Sequence, residues 1–239
     1  MKIKKIINES KDRFQLWSKF VDFYSIEQIA EIGVYKGDFS KHLLEFSRSI
    51  KKYYLIDPWR NIEDWNKPAN TNDISFENFY HETLSKTNFA SHKRVILRGK
   101  TTEKIDEIDD LNLDFVYIDG DHTLKGIAID LITSWSKIKE NGFIAGDDFC
   151  RTIWQHNIKF EPTLIFPFAL YFAEAMNVKI YALPFNQFLI SKNQSGFEFI
   201  NLTNKKYNKT NLLNYFYSKT EFKTQQEKSL ISKLFGFLR

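Results

Sequence analysis

Apolar positions along this chain follow two different periods. Between residues 11 and 24, Phe14, Trp17, Phe20, Val21 and Tyr24 stand three and four apart, the spacing of one face of an amphipathic helix. From Ile26 onward the pattern changes to short apolar runs, each followed by a segment with helical spacing or by a polar loop. The runs are Ile26–Val34, Tyr53–Ile56, Val95–Leu97, Leu113–Ile118 and Phe143–Gly146. They predict five strands. Helical spacing predicts helices over Asp38–Phe46, Phe76–Leu84 and Leu124–Ile138, the last ended by Asn141-Gly142.

Residues 60–92 begin with a loop rich in Asn, Asp, Pro and Thr, long enough to be a lid or a crossover. Thr101 or Thr102 would cap a further helix carrying Glu103 in its first turn. Leu164–Met176 reads as a buried helix, and Val178–Leu183 with Phe188–Ser191 as a terminal strand pair. Alternation of short strands and helices over residues 26–150 argues an α/β fold with a doubly wound, mostly parallel sheet. Three regions follow: a helical extension (1–25), the α/β domain (26–200) and a polar tail with a short basic amphipathic helix (201–239).

Composition narrows the function. The 43% hydrophobic and 16% aromatic content suffices for a packed core. The 34 basic residues are interspersed with 30 acidic ones, so nucleic acid is not implied. A lone cysteine, Cys150, excludes a disulfide framework or cysteine metal cluster, reads as a small buried side chain, and fits a cytoplasmic location. No apolar run reaches the roughly 20 residues that span a bilayer, so a soluble, unexported protein is expected.

The candidate chemistry lies at the strand ends. In parallel sheets ligands bind outside the carboxyl ends of the strands. Glu31, Asp57, Asp119, Asp147 and Asp148 all fall there. Such carboxylates repel one another unless cations or hydroxyl-bearing ligands occupy the rim. Gly33 and Gly37 permit a tight turn with close backbone approach to a ligand, and Asp57 stands where an acid accepts hydrogen bonds from a ribose. The chain has neither the Gly-x-Gly-x-x-Gly of a dinucleotide site nor a triphosphate loop, so a nucleoside cofactor without phosphate fits better. Glu31 suits a positive group such as an amino acid ammonium. Asp119, Asp147 and Asp148 are hard oxygen donors suited to Mg²⁺, Mn²⁺ or Ca²⁺, and either His122 or Asp121 would take a proton from an acceptor hydroxyl.

Four segments carry a family resemblance: Glu31-Ile-Gly-Val-Tyr-Lys-Gly-Asp-Phe-Ser40, Leu55-Ile-Asp-Pro-Trp59, Asp114-Phe-Val-Tyr-Ile-Asp-Gly-Asp-His122 and Gly142-Phe-Ile-Ala-Gly-Asp-Asp-Phe149. Over about residues 26–150 the chain resembles the class I S-adenosylmethionine-dependent methyltransferases, and among them the metal-assisted O-methyltransferases of the macrocin type. The resemblance implies a Rossmann-like, seven-stranded sheet with helices on both faces and an antiparallel last strand. It implies that the turn from Gly33 through Tyr35 to Gly37, with Glu31 and Ser40, holds the methionine part of the cofactor, and that Asp57 takes its ribose. Trp59 would pack on the adenine, Lys100 and Thr101 line its pocket, and Asp119 belongs to both the cofactor and the metal site. Asp119, Asp147 and Asp148 would bind Mg²⁺ or Mn²⁺, with His122 or Asp121 as base.

The reading is an S-adenosylmethionine-dependent O-methyltransferase, metal-assisted, acting on a hydroxyl of a sugar, glycan or sugar-bearing metabolite. Its rivals are a metal-independent methyltransferase on a phenol, phosphorus-linked oxygen or amine, and a non-catalytic binding protein in a glycan assembly complex. The aromatic stretch Phe166–Phe172 reads as core or as an acceptor platform. The basic segment Ser229–Arg239 reads as a peripheral membrane contact, a homo-oligomer contact or a tail.

Overall fold

The computed structural model of the protein describes residues 2–153, 155–157, 159–204 and 207. Two helices open it, α1 (Lys2–Asn8) and α2 (Arg13–Phe23). The Asp12 carboxylate caps α2 by accepting from the Gln15 amide. Strand β1 (Gln28–Ile32) then leads into α3 (Asp38–Phe46), followed by β2 (Lys52–Asp57), α4 (Asp73–Lys86) and β3 (Arg94–Arg98). The short α5 (Thr101–Lys104), β4 (Leu113–Ile118), α6 (Leu124–Lys137) and β5 (Ile138–Gly146) come next. The chain continues with α7 (Ile165–Ala175), β6 (Val178–Leu183), β7 (Gln187–Ser195) and β8 (Glu198–Asn201).

The strands form one sheet in the order β3-β2-β1-β4-β5-β7-β6-β8. The first five are parallel, and β7 runs antiparallel to both β5 and β6. The doubly wound sheet is as expected, with eight strands in place of seven. The extra strand arises because β7 runs on past Ser191 to Ser195, and Gly196, at φ +90, turns the chain back so that β8 pairs parallel to β6.

Alternation within the strands gives the sheet two buried faces. Ala30, Ile32, Tyr54, Ile56, Val116 and Ile118 pack with Ile127 and Leu131 of α6 and with α7. Their neighbours Ile29, Tyr53, Leu55, Phe115 and Tyr117 pack with α2, α3 and Phe76 of α4. Trp17 and Phe20 of α2 are fully buried against Phe115, so this helix covers the centre of the sheet. The aromatic stretch in α7 divides similarly: Phe166 and Phe172 are core and Tyr171 is 61% exposed.

Two boundaries differ from expectation. Asn141-Gly142 lies within β5, because α6 stops at Lys137 and Ile138 pairs at once with Leu113. The cap of α5 is Lys100, and Thr101 is already helical. Among the described residues no helix is long and apolar enough to cross a membrane. The basic segment Ser229–Arg239 lies outside the described residues.

Candidate active site

A cavity of about 1100 Å³ opens over the carboxyl ends of β1, β2, β3 and β4. Gly33 and Gly37 have φ of +85 and +72, which an L side chain rarely adopts. A Cβ at Gly33 would stand 2.3 Å from the Asp119 carbonyl oxygen. The turn can therefore lie against the end of β4 only with glycine there. Asp57 holds the same turn from the other side: Oδ2 accepts from the amides of Val34 and Tyr35, both at 2.9 Å, and Oδ1 from the Trp59 amide at 2.8 Å. Burial raises the Asp57 pKa, against those three bonds that favour its charge.

Glu31 is 1% exposed and sits beneath the turn, where Oε2 accepts from Ser40 at 2.5 Å and from Tyr53 at 2.9 Å. Burial pushes its carboxyl up to about 8, with the Ser40 and Tyr53 bonds opposing. Glu31 lines the cavity, and Ser40 acts on it from behind. The Trp59 ring is buried, donates from Nε1 to the Tyr35 carbonyl at 2.8 Å and packs edge-on against Tyr80, outside the cavity lining. It braces the turn from outside. Lys100 and Thr101 line the cavity at the end of β3.

At the other end, His122 Nδ1 is 2.6 Å from Asp148 Oδ2, and His122 Nε2 faces Asp119 Oδ1 at 3.5 Å, too far for a hydrogen bond. That buried Nε2 has no hydrogen-bond partner among the described residues. Burial alone would lower the imidazolium pKa, but Asp119 and Asp148 overcome it and raise it to about 9. One donor atom each from Asp119, His122 and Asp148 lie within 4.8 Å of one another, a mixed oxygen and nitrogen set that fits a divalent cation. His122 stands in this group where Asp147 was expected. Asp147 directs Oδ2 at Arg13, while Oδ1 accepts from the Asp148 amide at 2.8 Å and from Gln187 at 2.6 Å.

Asp121 is committed to structure: Oδ1 accepts from the Thr123 amide and the Trp65 indole, and Oδ2 from the Thr123 hydroxyl. Asp148, Tyr35 and Trp59 all have positive φ, so backbone strain gathers at this rim. Two segments close over it. Lys67 is buried and donates to the carbonyls of Glu161 at 2.8 Å and Pro162 at 3.1 Å, and Asn66 donates to the Lys159 carbonyl at 2.8 Å. Cys150 beside this rim is half-buried, not core.

Asp130, Arg13 and Trp65 are among the cavity residues that the sequence reading missed. Asp130 is buried on α6, lines the cavity beside Thr101, and is raised by burial to about 7. Its signal was an acid on the helix face that carries Ile127 and Leu131. Arg13 reaches the carboxylate row from α2, and it too shares the buried face of its helix, one turn before Trp17 and two before Phe20. Trp65 carried no signal, because its loop has no periodicity.

A glycine turn with a buried acid beneath it, at the switch of a doubly wound sheet, defines a class of nucleoside-cofactor enzyme. The family described as Methyltransferase domain matches residues 30–149, half of the chain. The chain belongs to that family, whose class I members take a methyl group from S-adenosylmethionine. Among curated proteins none matches by sequence.

Solved structures share the fold. The chain is similar to a putative caffeoyl-CoA O-methyltransferase from Staphylococcus aureus (14% identity, 79% of this chain and 91% of that one, TM-score 0.57). It is also similar to the O-methyltransferase TomG of Streptomyces achromogenes, involved in tomaymycin synthesis and solved with S-adenosylmethionine (14%, 82% and 88%, 0.54). An O-methyltransferase from Bacillus cereus in complex with S-adenosylhomocysteine aligns at 14%, over 79% and 86%, with a TM-score of 0.52. At these identities the likeness concerns the fold.

Proposed function

We propose that this methyltransferase moves the methyl group of S-adenosylmethionine to a hydroxyl oxygen of a sugar, glycan or sugar-bearing metabolite. One observation carries the reading: a single cavity joins the turn above Glu31 to the His122–Asp148 pair, so a donor seated at one end meets a proton acceptor at the other. Gly33 to Gly37 with Glu31 would seat the amino acid part of the cofactor. Asp57, still on the cavity wall, would accept the ribose hydroxyls, with Lys100, Thr101 and Asp130 at the base. The acceptor end is walled by Trp65, Lys67, His122, His156 and Glu161 alongside apolar Ile62, Pro68 and Leu164, so a hydroxyl-bearing acceptor would find hydrogen-bonding groups set in an apolar wall.

His122 is the base of choice, since Asp121 is spent on Thr123 and Trp65. Because Asp119 and Asp148 keep His122 protonated near neutrality, turnover is expected to rise toward alkaline pH. Asp119, His122 and Asp148 could instead hold a divalent cation; His122 would then be a ligand and not the base, and the ion would supply Lewis-acid polarisation of the acceptor hydroxyl. The test is mass spectrometry of purified protein with S-adenosylmethionine and a panel of sugars, sugar nucleotides, phenols and amines. A one-methyl mass gain on hydroxylated sugars supports the reading, and a gain confined to amines overturns it. Turnover unchanged by EDTA would remove the cation.

A further inference from the structure

The carboxylates at the strand ends are already partly neutralised by the protein itself. Arg13 Nη1 lies 2.9 Å from Asp119 Oδ2 and also contacts Asp147 Oδ2. Its guanidinium rests beside the rings of Phe14 at 5.3 Å and Phe39 at 6.0 Å, and it lines the cavity. A second tie reaches the same carboxylate from the same helix. Trp17 Nε1 donates to Gln187 Oε1 at 2.7 Å, Tyr117 donates to that oxygen at 2.8 Å, and Gln187 Nε2 donates to Asp147 Oδ1. Gln187 is completely buried. Arg13 and Trp17, one turn apart on α2, are therefore both fastened to Asp147, directly and through Gln187, and the guanidinium is held in place instead of wandering in solvent.

Asp119 is shared between the two halves of the row. One of its oxygens meets Arg13, and the other faces the orphaned His122 Nε2. A divalent ion on Asp119, His122 and Asp148 would take up a position a few ångströms from the guanidinium, where like charges in a partly buried site repel strongly.

We propose that Arg13 is a built-in cation that competes with a divalent ion for Asp119, so that α2 acts as a positioning element of the site and sets how much metal the acceptor end takes up. The ion then enters only at millimolar concentration, and Asp147 serves as the anchor of Arg13. The location of the acceptor end rests on the proposed methyl transfer, but the competition is tested without turnover.

The experiment is titration of the full chain with Mn²⁺, following the free ion by electron paramagnetic resonance, with thermal melting of each variant alongside. The unmodified protein is expected to bind Mn²⁺ with a Kd no tighter than about 1 mM, at the weak end for carboxylate sites. Arg13→Gln is expected to bind at least tenfold more tightly, Arg13→Lys to stay near the unmodified protein, and Asp119→Asn added to Arg13→Gln to abolish the gain. Equal affinity in folded Arg13→Gln and unmodified protein overturns the proposal, as does a gain that survives Asp119→Asn. Should Arg13→Gln not fold, micromolar binding by the unmodified protein overturns it alone. Loss of methyl transfer would leave these affinities untouched, so the two readings fail separately.

Discussion

Replacing Glu31 by Gln tests the cofactor seat through its proton. Burial holds the Glu31 carboxyl at about 8, so at pH 7 about nine molecules in ten carry it protonated. An ammonium docked against it favours the ionised form, so binding has to expel that proton. Between about pH 5.5 and pH 7.0, where a free α-amino group (pKa about 7.7–8.0) stays charged, affinity should rise almost tenfold per unit, about 30-fold in all. Gln keeps the shape and has no proton to lose, so the slope should vanish. Calorimetry with S-adenosylhomocysteine, in two buffers of different ionisation enthalpy, measures both the slope and the proton released. A pH-independent affinity in the unmodified protein, or an undiminished slope in Glu31→Gln, would refute the reasoning. Stability moves correspondingly. A carboxyl raised on folding leaves the folded state unpenalised below its ordinary value and increasingly penalised up to about pH 8, so Glu31→Gln should melt higher than the unmodified protein at pH 8 and level with it near pH 4.

Three further outcomes are expected. Asp57→Ala strands three amides of the turn, and should cost about 2–4 kcal/mol in urea unfolding and remove cofactor binding; unchanged calorimetric affinity would count against the seat. His122, raised to about 9, contributes stability in the metal-free protein that is complete below its ordinary value near 6.5 and lost as pH rises through about 9. Asp148→Asn should move the His122 imidazole titration, followed by proton NMR, to lower pH, and an unmoved titration would deny the coupling. Gly33→Ala places a Cβ 2.3 Å from the Asp119 carbonyl at φ +85, and should lower stability by about 2 kcal/mol or more; a neutral effect in denaturant titration would contradict the close approach of turn and strand.

The strands and their carboxylates were legible because a buried parallel strand has to be apolar along its length, so Tyr53–Ile56 and Leu113–Ile118 mark themselves and their terminal acids. Gly33 and Asp57 were legible as a pair by spacing. How Asp57 divides its oxygens among three amides was not, since that depends on how β1 and β2 bring two turns together. Trp59 shows the same limit: the family resemblance implied that it packs on the adenine, whereas its ring, with positive φ and a bond to Tyr35, lies outside the cavity lining.

Local pattern alone thus determined the alternation of elements, the rim on which acids gather and the glycine turn, because periodicity and backbone freedom are properties of adjacent residues. Tertiary structure alone decided that Arg13 lies against Asp119 and Asp147, that His122 takes its place with Asp119 and Asp148, and that Asp121 is spent on Trp65. Those pairings join residues from α2, the 60–70 loop and two strand ends, and Coulomb and hydrogen-bond energies depend on separation in space, which burial of α2 against Phe115 creates.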